Sequence, residues 1–183
     1  GFFQGNKKTK INLNNLKTKK SNLKVIYLGE QSTWKKVDRI IEAVKNLDCD
    51  LFLFGSTNAE FKKIASPNVH FMGYIDELEV RSVLKQADLL VNTSNQDSSY
   101  KFPEYISVKK PILAYDGLPA YIFKNKQDAL LVKDFKKGLI ELTKNKKLRE
   151  KIAKNIQKFP IFSWHEITEK YLGLYKKIIA GEV

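Results

Sequence analysis

Between residues 24 and 132, short and nearly continuous apolar runs alternate with segments whose apolar positions recur at helical spacing. The runs at 24–29, 50–55, 68–73, 88–92, 111–115 and 129–132 are of strand length and predict six strands. The first intervening segment places Val37, Ile40, Ile41, Val44 and Leu47 on one helical face, and the third does the same with Val80, Val83, Leu84 and Ala87 over 77–86. A short helix over 58–65, one opening around Lys101–Pro103, and helices over about 134–158 and 164–180 complete the pattern. Strict alternation with two-sided apolar strands predicts a parallel sheet covered on both faces, a Rossmann-like α/β layer of about six strands followed by C-terminal helices. Several of these strands end in Gly or a polar residue, as needed where backbone must approach a ligand at the carboxyl edge of the sheet.

The fourth strand stops in the polar turn Thr93-Ser94-Asn95-Gln96, and the chain passes almost at once into a helix, the crossing at which open α/β sheets place ligand crevices. Two carboxylates bracket it. Asp97 lies in the loop, and Glu104 follows Pro103 in the first helical turn, where proline is tolerated. A carboxylate there caps the helix or receives ligand hydroxyls, and the crevice position favours the second.

At 183 residues the chain suffices for one well-buried domain, and 43% hydrophobic with 29% charged residues is a globular composition. Residues 1–22 read as a linker or leader, 23–160 as the α/β domain, and 161–183 as a C-terminal helix. The longest apolar runs are strand-sized, so neither a transmembrane span nor a signal peptide is expected. One cysteine excludes an internal disulfide and a thiolate metal cluster. The absence of an initiator Met suggests a fragment of a longer protein. The net charge of +13 first suggests nucleic acid. Residues 21–132 nonetheless carry fourteen basic and fourteen acidic side chains, and the excess sits in the leader and the last helices. Without interleaved stacking aromatics such faces are solvated, so no nucleic-acid partner is expected. The G-x-G-x-x-G and Walker patterns are absent, removing the main support for dinucleotide or P-loop chemistry. His70 and His165 lack metal-ligand spacing and read as structural.

The residues resemble a known family. Tyr27-Leu28-Gly29 followed by Lys35-Lys36-Val37-Asp38 and Ile41-Glu42-Ala43 is similar to its G-R-L-x-x-x-K-G-x-D…I-E-A pattern. Asn68 to Tyr74, Ala87 to Val91, Lys101-Phe102-Pro103-Glu104-Tyr105, Lys110 to Ala114 and Phe162-Ser163-Trp164…Tyr175 follow in the family's order. Together they resemble the C-terminal, nucleotide-sugar-binding domain of GT-B-fold retaining glycosyltransferases of family 4, the glycosyl transferases group 1. The resemblance implies transfer of a sugar from a nucleotide-diphosphate-sugar to a hydroxyl acceptor (a sugar, a lipid-linked sugar or a protein) in cell-surface polysaccharide or glycoconjugate synthesis. It implies no metal and no other cofactor, an N-terminal domain that completes the acceptor site, and inactivity of this chain alone. It also implies a cytoplasmic location with peripheral contact at the inner face of the membrane. The alternative is a non-catalytic Rossmann-like interaction or regulatory module.

The resemblance assigns the family's acidic E-x7-E pair to Asp97 and Glu104, with aspartate in place of the first glutamate. Glu104 then accepts from the nucleotide ribose and Asp97 from the donor sugar, roles suited to an acceptor-only carboxylate facing vicinal hydroxyls. Lys35 matches the phosphate lysine, which stabilises charge on the departing diphosphate. Gly29 opens that loop. Gly73, Tyr74 and Ile75 match the nucleobase loop, and Ser94, Ser99, Tyr100, Lys101 and Phe102 the loop and helix start that hold sugar and pyrophosphate. The family's phosphate arginine is Glu30 here, which leaves three readings: Lys36 or Arg39 substitutes, the loop register differs, or the chain is a low-activity or non-catalytic relative.

Overall fold

The computed structural model describes residues 11–16, 23–95, 101–160 and 162–182. Six strands, β1 (Leu23–Leu28), β2 (Cys49–Phe54), β3 (Val69–Gly73), β4 (Leu89–Asn92), β5 (Ile112–Tyr115) and β6 (Leu130–Val132), form one parallel sheet in the order β3-β2-β1-β4-β5-β6. The helices are α1 (Val37–Ala43), α2 (Ala59–Ile64), α3 (Glu77–Leu84), α4 (Lys101–Ser107), α5 (Phe135–Lys144), α6 (Lys146–Ile156) and α7 (Trp164–Ile179). Strand order reverses direction between β1 and β4, so right-handed crossovers send α1 and α2 to one face and α3 and α4 to the other. After β6 the chain returns to the α1 face, where α5 packs against α1. The expected Rossmann-like architecture is the observed one.

The strands bury because they are covered twice. Every residue of β2 and β4 is buried, and in β1 Val25, Ile26 and Tyr27 are fully so. Helix α5 sits tight on β5 and β6: a β-carbon at Gly138 would lie 2.9 Å from both Leu113 and Val132 side chains. Caps delimit most helices as side-chain chemistry requires. Asn58, Asp76 and Asp134 accept from first-turn amides of α2, α3 and α5, and Ser163 with Glu166 closes a reciprocal capping box on α7. The helical stretch expected at 134–158 is two helices, parted at Asn145. Its amide closes α5 on Glu141 while its side chain accepts from Leu148 to open α6.

His70 is structural: its ring lies 2.9 Å from the buried Asp50 carboxylate and stacks on Phe52. Burial, then Asp50 and Asp48, push the Cys49 thiol up to about 12, so it is inert. Of the stretch 1–22, residues 11–16 are described, and they dock. Leu13 is fully buried, and the Gln86 amide accepts from its N–H while donating to the Ile11 carbonyl. Helix α7 behaves oppositely, with none of its residues buried and Trp164, Tyr171, Leu172, Leu174, Tyr175, Ile178 and Ile179 all exposed. Among the described residues, no helix is long and apolar enough to cross a membrane.

Candidate functional site

Where β1, β2 and β3 end, three glycines line up. Gly29, Gly55 and Gly73 have φ of 134°, 123° and 73°, a region in which side chains are strained. The Gly29 amide donates to Phe54 O and the Gly55 amide to Gly73 O, both at 2.8 Å, tying the turns into a floor. The approach is close enough that a β-carbon on Gly55 would fall 2.1 Å from the Gly29 carbonyl oxygen. Above this floor opens a cleft of about 570 Å³. Leu28, Gly29, Glu30, Gly55 and Ser56 form its base, Tyr74 and Ile75 one wall, and Glu77 and Val80 of α3 the far side. Tyr74 is 83% exposed, so its ring stands free at the rim.

A second set of groups surrounds the point where β1 and β4 part. Their ladder pairs only Val25 with Leu89 and Ile26 with Leu90. Beyond it, the buried Tyr105 hydroxyl spans the gap, accepting from Leu28 N (3.2 Å) and donating to Val91 O (3.1 Å). Burial holds its phenol far above the ordinary range, so it stays protonated. The β1–α1 loop is pinned twice. Tyr27 donates from Oη to the Glu30 carbonyl at 2.8 Å, and Thr93 donates from Oγ1 to the Lys35 carbonyl at 2.5 Å. Burial, reinforced by Glu30, likewise raises the Tyr27 phenol.

Two lysines converge here. Lys35 pairs with Glu30 at 3.1 Å and lies over the half-exposed Trp34 ring at 4.7 Å. The Lys35 contact, mainly its hydrogen bond, holds the Glu30 carboxyl below the usual range. Lys101 reaches from α4 to the other side of the loop, its ammonium 3.3 Å from Tyr27 Oη and 4.4 Å from the ring centre. A β-carbon on Gly29 would be 2.6 Å from Lys101 Nζ, so the glycine makes room for the lysine. Burial, helped by Lys35 and opposed by Glu104 and Glu30, brings the Lys101 ammonium down to about 8. Glu104 is exposed on the first turn of α4, and its carboxyl is shifted upward by partial desolvation, with Lys101 opposing and the cleft residue Glu77 adding.

Of the residues expected at the site, Gly29, Tyr74 and Ile75 line the cleft, and Gly73 closes its floor. Lys35 and Lys101 meet the cleft's Gly29–Glu30 edge from two sides, and Glu104 is electrostatically linked to both Lys101 and Glu77. Ser94 follows β4, its amide 3.3 Å from Asn92 Oδ1. Phe102 is different: its ring is buried edge-to-face against Phe123, 4.8 Å between centroids, and belongs to the core. Asp97, Ser99 and Tyr100 lie outside the described residues. The pairing of Asp97 with Glu104 also needs a correction of count. Six residues separate them, so seven-residue spacing from Glu104 falls on Gln96, likewise outside the described residues.

Neither candidate for the missing arginine reaches the Glu30 edge. Lys36, in the left-handed conformation with φ 57°, places its ammonium over Tyr115, and Arg39 lines a separate hollow with Lys133 and Lys136. Tyr27, Thr93 and Tyr105 stand in the sequence motifs and the polar turn with no role attached, although a tyrosine in a fully buried strand or helix face announces that its hydroxyl has a partner. Among the described residues, no group of three or more His, Cys, Asp or Glu side chains is placed to hold a metal ion.

A doubly wound α/β layer with a glycine-floored cleft at the carboxyl edge, flanked by basic side chains at the strand switch point, defines a ligand-binding domain of the Rossmann-like class. Comparison with known proteins gives the family: residues 22–145 match the model of the glycosyl transferases group 1, and the chain belongs to it. An uncharacterized glycosyltransferase, MJ1069 of Methanocaldococcus jannaschii, is 24% identical over 87% of this chain and 46% of its own length. Among solved structures, sucrose-phosphate synthase of Thermosynechococcus elongatus matches at TM-score 0.70 with 18% identity, covering 88% of this chain and 47% of that one. Anabaena HepE, solved with UDP-glucose, matches at TM-score 0.65 with 17% identity, covering 74% and 43%. The fold is therefore one Rossmann-like half of the GT-B arrangement. The chain spans a little under half the length of these relatives.

Proposed function

We propose that this chain is the donor-binding half of a retaining glycosyltransferase, moving a sugar from a nucleotide-diphosphate-sugar to a hydroxyl acceptor in polysaccharide or glycoconjugate synthesis. The observation that carries the reading is the convergence of Lys35 and Lys101 on the Gly29–Glu30 edge of a cleft whose other edge ends in Tyr74 and Ile75. The base rests along the Gly73–Ile75 turn. The diphosphate spans the glycine floor, where bare backbone permits close approach. Glu104 accepts from the ribose hydroxyls, and the two ammoniums stabilise the charge that builds on the departing diphosphate without a metal ion. The loop that carries Asp97, Ser99 and Tyr100 completes the sugar site.

The acceptor site belongs to a second, N-terminal Rossmann-like domain of the intact protein, and the uncovered apolar face of α7 packs toward it. The lysine-rich C-terminal helices give that protein a peripheral attachment to the inner face of the membrane. The chain by itself binds donor weakly and transfers nothing. Calorimetric titration with UDP-, GDP- and ADP-sugars tests the site: one series binds, and Glu104→Ala weakens it about tenfold or more. Binding by none of them, or undiminished binding by Glu104→Ala, refutes the assignment.

A further inference from the structure

Glu30 stands at an unexpected place for an acid. It lines the cleft, half-exposed, and its carboxylate lies 3.1 Å from the ammonium of Lys35, which is mostly covered. The carboxylate also acts on Lys101 across the loop. Around this contact the backbone is fixed at both ends, at Glu30 by the Tyr27 hydroxyl and at Lys35 by Thr93. The Trp34 ring flanks the Lys35 ammonium at 4.7 Å. The softer degree of freedom is the Glu30 side chain: half-exposed, with the Trp34 and Ser32 side chains also within its reach, it can rotate about its own bonds while the backbone and the lysine stay seated.

Resting on the donor-binding reading above, we propose that Glu30 is a displaceable counter-ion: its carboxylate occupies the position beside Lys35 that an incoming phosphoryl oxygen takes, and it must swing aside for a diphosphate to bind. The residue then determines selectivity as well as affinity. A ligand with a single weak anionic group does not dislodge the carboxylate, whereas a diphosphate gains Lys35 and Lys101 together. In the empty site the same contact keeps two converging ammoniums from facing each other without a counter-charge.

The test uses inorganic pyrophosphate, which carries the diphosphate chemistry without a nucleobase or sugar. Glu30→Gln, nearly isosteric and half-exposed, binds pyrophosphate roughly twofold to fivefold more tightly than the unaltered chain, the scale of a partly solvated charge contact. Adding Lys35→Gln abolishes that gain, and Glu60→Gln, which breaks the remote Lys63 pair, leaves affinity unchanged. Equal or weaker pyrophosphate binding by Glu30→Gln, a gain that survives Lys35→Gln, or no pyrophosphate binding by any variant overturns the proposal. Tighter pyrophosphate binding with no response to UDP-, GDP- or ADP-sugars upholds the counter-ion while refuting the donor reading, so the two failures are distinguishable.

Discussion

Tyr105→Phe removes one hydroxyl oxygen and nothing else, at the position where β1 and β4 stop pairing. That oxygen serves two backbone groups, the Leu28 amide and the Val91 carbonyl, at 3.2 and 3.1 Å. Val91 is fully buried and Leu28 partly so, which leaves the carbonyl stranded and the amide with limited access to water. A buried polar group without a partner costs about 1–3 kcal/mol, so losing the bridge destabilises the fold by about 2–5 kcal/mol once partial rehydration of Leu28 is allowed for. Against a total stability of about 5–15 kcal/mol this is a large fraction. The measurement is urea unfolding followed by far-UV circular dichroism, in which the midpoint falls while the slope stays constant. Tyr171→Phe, on the exposed face of α7, is the matched control and leaves the midpoint unmoved. A loss below about 0.5 kcal/mol for Tyr105→Phe would show that the strand ends are satisfied without the bridge and would refute the reasoning.

The glycine floor distinguishes its members: Gly55→Ala, whose β-carbon meets the Gly29 oxygen at 2.1 Å, unfolds or destabilises the chain far more than Gly73→Ala, which has positive φ but nothing within 4 Å and costs about 1–2 kcal/mol by thermal melting. Lys101 gives a pH signature. Its ammonium loses its proton near pH 8 in the empty site, and an anion binds the protonated form, so donor affinity falls above pH 8, by about twofold at that pH and about tenfold at pH 9. Lys101→Met binds more weakly at pH 7 and loses this dependence, and an unchanged profile in titrations from pH 7 to 9 counts against the role. The same depressed value means that protonated Lys101 weighs on the native state, so stability rises between pH 8 and about 10.5, the unfolded value, and Lys101→Met removes that slope in urea melts. In the intact protein, glycosyl transfer continues after chelation with EDTA, and its loss with recovery on adding a divalent cation contradicts the metal-free proposal.

The sheet was legible because its strands are buried on both faces and so appear as unbroken apolar runs, and α1 and α3 because their apolar residues repeat at helical spacing. The glycine floor was visible for a similar local reason: Gly29, Gly55 and Gly73 each sit at the end of a run. Partnerships across long sequence separations were not legible. Nothing local ties Tyr105 to Leu28 and Val91, Thr93 to the Lys35 carbonyl, or Leu13 to Gln86, since each pairing arises only when the crossovers bring distant segments together. The direction of the Phe102 ring was not legible either: it adjoins Lys101 in sequence, but on α4 the two side chains diverge, one into the core and one toward Gly29. Glu30 stood in the sequence as a departure with three readings open, and the Lys35 contact makes it half of an ion pair.

The Gly29–Gly55 approach bears on how this fold can change over generations. Because the oxygen of one residue fills the space any β-carbon of the other would need, the two positions are not independent letters, and substitution of Gly55 requires the first loop to be rebuilt in the same step. The exposed rim carries no such coupling. Tyr74 stands almost fully in solvent and Glu77 faces the cleft from its rim, whereas Ile75 and Val80 line the cleft and also pack against the core. Substitution at the exposed rim reshapes the cleft mouth alone, while Gly29 and Gly55 change only together.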